Sequence, residues 1–342
     1  MLSLFQFHYP VAMTTSDRIG ILGLGAYTPE RIMTNEEWTE WVDTSDEWIT
    51  TRSGIKRRRI AGEDETTATM AVEAANRALK DCGLQPTAID EIIVATDTPE
   101  VYFPDTASYV QHLLGAREVP AYDLAGSGCA GFLQALDIAR SRVGAEGRTI
   151  LVIGSEMLTR IMNWRDRSTC VLFGDAAGAV VVGSGEDTIE ILAAVTGTDG
   201  SRAGILTLET GGTRAPFSVE AAEQGLHRNI VMKGPEVFKE AVGRMAKVSR
   251  QVLEQTGLTI EDVDLVVPHQ ANMRILSAVA KALHIPPEKV FANIEDFGNT
   301  GSASVPLGLT QARDEGRISA GDLVLLTSFG AGFHWAAVLL RF

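Results

Sequence analysis

The sequence predicts an α/β protein built from two similar halves. Two observations carry this reading: strand-length apolar runs alternate with longer amphipathic runs, and a set of short words recurs at one fixed spacing. Gly83-Leu84 and the run from Ile89 to Val94 reappear 174 positions on (83 to 257), as Gly257-Leu258 and the run from Val263 to Val267. The same step carries Gly147 to Val152 onto Gly321 to Leu326 and Leu133 onto Leu307. It carries Ala74, Ala78 and Leu79 onto Val248, Val252 and Leu253, and sets Cys129 opposite Ala303. A constant offset across five elements implies a duplication whose equivalent loops face each other across the join.

In chain order, residues 1–17 form an expected disordered N-terminal extension before the first strand. They lack the basic start of a signal peptide, and Met13 is an alternative start. The halves are expected to span 18–185 and 186–342. Gly23-Leu24-Gly25-Ala26-Tyr27-Thr28-Pro29 imitates a dinucleotide fingerprint. Thr28 stands where the third glycine should be and no clear helix follows, so it reads as a strand end. Val119 to Leu124 is a strand, and Phe132, Leu133, Leu136, Ile138 and Ala139 mark the following helix. Between them, Gly126-Ser127-Gly128-Cys129-Ala130-Gly131 puts a thiol on a tight turn at a helix N-terminus, where unpaired N–H groups favour a thiolate. Alone, the motif fits a buried cysteine on a small-residue helix equally well.

Two later segments change that balance. Asp264 to Asn272 is a buried strand delivering His269 at its C-terminal end, where open α/β sheets place their chemistry. Gly298 to Ser304 is a glycine-bracketed turn into another helix, with Asn299 at its mouth. Singly, these also fit local hydrogen bonding and ordinary turn chemistry. The six histidines show no metal-like spacing, and neither HExxH nor CxxC occurs, so no metal is expected. A net charge of −14 argues against a nucleic-acid partner. No apolar run approaches the ~20 residues of a membrane span. Three cysteines suggest a reducing, cytoplasmic setting without disulfides, with Cys82 and Cys170 as packing residues on a helix and a strand.

The duplicated α/β chain with Cys, His and Asn in that order resembles the thiolase superfamily. It is most similar to the β-ketoacyl-acyl-carrier-protein synthase III family. The words that carry the likeness are Asp43 to Ile49, Thr51-Arg52-Ser53-Gly54-Ile55, Phe173 to Ala179, Val267 to Ile275 and Phe329 to Trp335. They run from about Arg18 to Phe342. A plain thiolase would carry a second catalytic cysteine near the C-terminus, and none lies beyond Cys170.

The resemblance implies a thiolase-like fold of α-β-α-β-α layers and a homodimer with no permanently bound cofactor. It implies an enzyme of fatty-acid initiation in which an acyl-CoA, with acetyl-CoA the expected primer, acylates Cys129. Malonyl-acyl carrier protein is then condensed with loss of CO₂. His269 and Asn299 are expected to hold the enolate, and the backbone N–H groups of Cys129 and Ala331 the oxyanion. Thr44, Trp48, Arg52, Arg167, Gly234, Phe238, Ala271 and Asn272 are expected along the coenzyme A path. Trp48 offers a face for adenine and Arg52 a charge for phosphate; a helix-capping aromatic and a solvated charge are the plain alternatives. Phe103 is expected either to line a partner's acyl pocket or to sit in the core, with Ile205, Leu206 and Phe329 also at that pocket. Lys239, Arg274 and Lys281 are the expected docking cations for an acidic carrier protein, or else a routine solvated face. A secondary-metabolite condensing enzyme or acyltransferase of the same superfamily is the nearest alternative function. A papain-like cysteine hydrolase is a remote one.

Overall fold

The computed structural model describes residues 18–342. The extension expected over residues 1–17, with Met13, lies outside the described residues. Nine strands carry the fold: β1 (Arg18–Tyr27), β2 (Glu91–Thr96), β3 (Ala121–Ala125), β4 (Ile150–Met157), β5 (Asp175–Gly185), β6 (Ile189–Thr198), β7 (Leu265–Pro268), β8 (Leu323–Gly330) and β9 (His334–Arg341). They hydrogen-bond in the order β7-β8-β9-β6-β1-β5-β4-β2-β3. Strands β1 and β6 share only two residue pairs, Gly20 with Glu190 and Ile21 with Ile189, and the sheet divides there into two leaves. Each leaf has parallel pairs at its outer side (β4-β2-β3 and β7-β8) and antiparallel pairs towards the join.

The pleat explains the layers. Alternate residues of a strand face opposite ways. Ile93, Ala95, Val152, Val180 and Val182 face inward, and so do Leu265, Val267, Val324, Leu326 and Val338 from the other leaf. Between them lie Phe132, Leu133, Leu136 and Ala139 of one helix (Gly131–Glu146) and Val305, Leu309 and Ala312 of another (Ser304–Asp314). The intervening residues Ile92, Val94, Leu151 and Ile153 face outward onto helices Thr67–Asp81 and Thr106–Leu114. Val266, Leu325, Ala337 and Leu339 do the same for Gly234–Thr256 and Met273–Leu283. The result is the five-layer α-β-α-β-α stack of a thiolase fold.

The duplication is visible strand by strand, but its spacing is not constant. Strands β2 and β7 begin 174 apart (91 to 265), whereas the two middle-layer helices begin 173 apart (131 to 304). The left-handed glycines Gly128 (φ 55°) and Gly301 (φ 56°) are also 173 apart. The counterpart of Cys129 is therefore Ser302, not Ala303. A one-residue difference in the preceding loops shifts the turns, and words matched in the flanking strands cannot register it. The fingerprint-like Gly23 and Gly25 lie within β1, where a Cβ on either would come within 2.3 Å of the Ala78 backbone. They allow strand and helix to touch. Cys82 follows a helix end as expected, but Cys170 is buried in a short 3-10 turn (Cys170–Leu172) rather than a strand.

Candidate active site

The chemistry gathers at the C-terminal ends of strands from both leaves. Cys129 sits in a single 3-10 turn (Gly128–Ala130) between β3 and the middle-layer helix Gly131–Glu146. The end of β8 presses against this turn. A Cβ on Gly128 would lie 2.4 Å from the Ala331 nitrogen, and one on Gly330 would lie 2.4 Å from the Cys129 nitrogen. The Ser328 hydroxyl donates to the Cys129 carbonyl at 2.6 Å. Glycine at both contacts thus brings the backbone nitrogens of Cys129 and Ala331 to one place.

His269 follows β7 directly and is 2 % exposed. Burial lowers its pKa to about 3, so the ring is neutral at working pH. Its Nδ1 lies 2.6 Å from Ser304 Oγ, which also receives the Gln270 N–H at 3.4 Å. The Ser304 contact engages Nδ1 and leaves Nε2 for the cavity, and a Ser304 proton given to Nδ1 puts the ring's own proton on Nε2. Asn299 is fixed comparably. Its Oδ1 accepts the Gly301 N–H at 2.9 Å, which leaves the Nδ2 donors for the cavity.

The expected stabilisation of a thiolate is not found. Desolvation pushes the Cys129 thiol well above its usual value, and the Asp97 and Glu156 carboxylates push in the same direction. Those effects favour the thiol over the thiolate at Cys129.

Cys129, His269 and Asn299 line one cavity of about 1480 Å³. Trp48, Arg52, Gly234, Phe238, Ala271, Asn272 and Arg274 line it too, with Leu206, Phe329 and Ala331. Trp48 is not an open platform. The Arg52 and Arg167 guanidinium carbons each lie 4.7 Å from its ring centroid. Asn272 is spent as an N-cap, accepting the Arg274 N–H and donating to the Arg52 carbonyl. Thr44 and Arg167 are not among the lining residues; the Thr44 hydroxyl is buried without a hydrogen-bond partner. Ile205 packs into the outer core against the Gly234–Thr256 helix rather than lining the cavity. Phe103 is 83 % exposed, which removes the core alternative. Lys239 is exposed one residue from Phe238, whose ring lies under Arg274 at 6.0 Å. Lys281 is exposed at the far end of the helix that Arg274 begins, away from the cavity.

Two family models match, 3-oxoacyl-[acyl-carrier-protein] synthase III over residues 122–200 and its C-terminal region over 253–342. The β-ketoacyl-[acyl-carrier-protein] synthase III of Caldanaerobacter subterraneus subsp. tengcongensis is 49% identical, covering 94% of this chain and 97% of its own.

The chain belongs to this family.

Among synthase III structures, that from Aquifex aeolicus superposes with a TM-score of 0.86 at 48% identity, over 95% of this chain and 100% of the other. The priming β-ketosynthase of the R1128 polyketide pathway gives 0.86 at 38% identity, over 97% and 99%. Membership makes the chain a condensing enzyme of the acyltransferase type and sets aside the papain-like hydrolase. Reading the synthase III words missed Ser304, Asp97 and Glu156. Glu156 had a signal, an acidic residue inside the apolar run Ile150 to Met157. Ser304 had none, because its contact with His269 spans 35 positions.

Proposed function

We propose that this synthase III starts a fatty-acyl chain by joining an acyl-CoA primer to malonyl-acyl carrier protein, with Cys129 as nucleophile. The observation that carries this is the convergence of Cys129, His269 and Asn299 on one cavity beside two adjoining backbone N–H groups. In the first half-reaction Cys129 sulfur attacks the primer thioester. The oxyanion lies between the Cys129 and Ala331 N–H groups, and the thiol proton leaves with coenzyme A. Thiol-thioester exchange is proton-neutral, so a resting thiol is compatible with it.

In the second half-reaction the malonyl thioester loses CO₂. Its enolate oxygen takes hydrogen bonds from His269 Nε2–H and Asn299 Nδ2–H, both neutral donors. No base is needed, because C–C cleavage itself supplies the electron pair. The carbanion attacks acyl-Cys129, a C–C bond forms, and the sulfur departs and recovers a proton. Adenine takes the place of one guanidinium on Trp48, with Arg52 or Arg167 turning to phosphate. Gly234, Phe238, Ala271 and Asn272 border the rest of the coenzyme's path, with Thr44 outside the cavity, and Leu206 and Phe329 border the acyl end. Tyr102 and Phe103 are 76 % and 83 % exposed, as residues lent to a second copy of the chain would be, and this supports a homodimer. With no membrane-spanning helix among the described residues, a cytoplasmic site of action fits the reaction. The likeness to the R1128 priming enzyme keeps a secondary-pathway role as the second reading.

The test is peptide mass spectrometry after incubation with acetyl-CoA. One acetyl group is expected on the Cys129 peptide, and none in Cys129→Ser. Labelling at Cys82 or Cys170 with Cys129 clean would overturn the assignment.

A further inference from the structure

Two carboxyl groups that the condensation chemistry leaves unused adjoin the two catalytic turns, Glu156 buried and Asp97 half-buried at the cavity wall. Asp97 follows β2 and Glu156 stands near the end of β4, the neighbouring parallel strand. The Asp97 N–H donates to both Glu156 carboxyl oxygens at 3.2 Å, which sets the two residues against each other. From there each reaches a different turn. Asp97 Oδ1 accepts the Gly128 N–H at 3.3 Å, next to the nucleophile. Glu156 Oε1 accepts the Ser302 hydroxyl at 2.9 Å and the Ser302 N–H at 3.4 Å. Gly301 lies directly on that carboxyl, since a Cβ there would come within 2.8 Å of Glu156 Cγ. Ser302 is the duplicate of Cys129. Each half of the molecule therefore ties its own version of the same turn to one member of the pair.

We propose that Asp97 and Glu156 are positioning residues, a carboxyl pair that clamps the nucleophile turn to the asparagine turn for condensation. Glu156 is fully buried, and burial with the neighbouring Asp97 raises its pKa to about 8. Desolvation also raises Asp97. Side chains from four elements face the pair. From the nucleophile turn comes Cys129, the titratable one. The segment after β2 gives the Thr98 hydroxyl, donating to Glu156 at 2.9 Å, and the asparagine turn gives Ser302. From the helix Thr67–Asp81 comes Thr67, bonded to the Thr98 carbonyl. Among the described residues neither carboxyl forms an ion pair. Two charges here have hydrogen-bond donors but no cation to balance them, and losing the Glu156 proton sets them against each other and loosens the clamp.

The inference rests on the condensing function, so the test separates the two. Enzyme is first acetylated with acetyl-CoA, which removes the Cys129 titration, and CO₂ release from malonyl-acyl carrier protein is followed between pH 7 and 9. A proton with pKa near 8 predicts that the parent rate falls about tenfold across this range. Glu156→Gln, which keeps a neutral hydrogen-bonding group, is expected to have a pH 9 to pH 7 rate ratio near that of a flat profile, whatever its absolute rate. A second measurement is thermal unfolding. The folded chain holds a proton on Glu156 that the unfolded chain, with a carboxyl near 4.5, has released. Stability from this group is thus full below about pH 4.5, is lost progressively as pH rises from there to about 8, and stays lost above it. The parent Tm is expected to fall relative to Glu156→Gln over that rise. An unchanged alkaline decline in Glu156→Gln, or no decline in the parent, overturns the proposal. Failure of acetyl-CoA to label Cys129 would instead overturn the functional reading.

Discussion

At the scale of single residues, the site is built from neutral groups held in one orientation each. Asn299 can only offer N–H because its oxygen is taken by Gly301, and His269 offers Nε2–H because Nδ1 is occupied by Ser304. Cys129 departs from the usual activated cysteine. Desolvation of this half-buried thiol and the Asp97 and Glu156 carboxylates favour the thiol, so reactivity in the free enzyme follows the thiolate fraction. Iodoacetamide alkylation of Cys129 is therefore expected to accelerate by about tenfold per pH unit, with no plateau below pH 9. A plateau below pH 7.5 would mean that the turn stabilises the thiolate after all. The polar cluster also shows where reading the sequence stopped. Cys129, His269 and Asn299 stand in glycine- and proline-marked words. The groups that orient them come from distant positions whose meeting no local pattern records.

At the scale of elements, strand and helix were readable because each has one period and one apolar face. The strand at Glu91–Thr96 and its duplicate at Leu265–Pro268 sit where the repeat put them. The turns were read one residue out of register, since loop lengths carry no periodicity. Close backbone contacts were also invisible as contacts, although their glycines were in plain view. Gly128 and Gly330 look like ordinary turn and strand-end residues until β8 is laid against the Cys129 turn. Ile205 shows the converse error. Beside Leu206 it resembled pocket wall, yet Ile205 ends a 3-10 turn (Gly200–Ile205) and is buried in the outer core, while Leu206 opens a short strand and reaches the cavity.

At the scale of the whole molecule, the five-layer stack holds the two duplicated turns together from opposite leaves. The leaves' difference in residues makes one turn the nucleophile's and the other the asparagine's. The chain's charge of −14 opposes any acidic partner, so docking of an acyl carrier protein needs local cations near the cavity. Lys239 and Arg274 are the cations proposed for it, Arg274 at the cavity and Lys239 exposed beside Phe238; Lys281 lies farther along its helix. Charge reversal at Lys239 is expected to raise KM for malonyl-acyl carrier protein and to leave acylation by acetyl-CoA much less affected, whereas charge reversal at Lys281 is expected to change neither step. The parent's carrier-protein step should weaken with salt, as the screening length shortens to about 8 Å at physiological strength. Equal loss on both substrates would point to damage in the shared cavity instead.

The claim that binds these scales is a division of labour, with Cys129 taking the acyl group and the neutral pair His269 and Asn299 carrying the decarboxylation. Asn299→Asp separates the two half-reactions in one protein. Acetyl transfer to Cys129 and CO₂ release from malonyl-acyl carrier protein are to be measured side by side. The account predicts that the acetyl group still appears on Cys129, while CO₂ release drops by about 100-fold to 1,000-fold, the loss typical of one oxyanion donor. Decarboxylation at the parent rate in Asn299→Asp would contradict it.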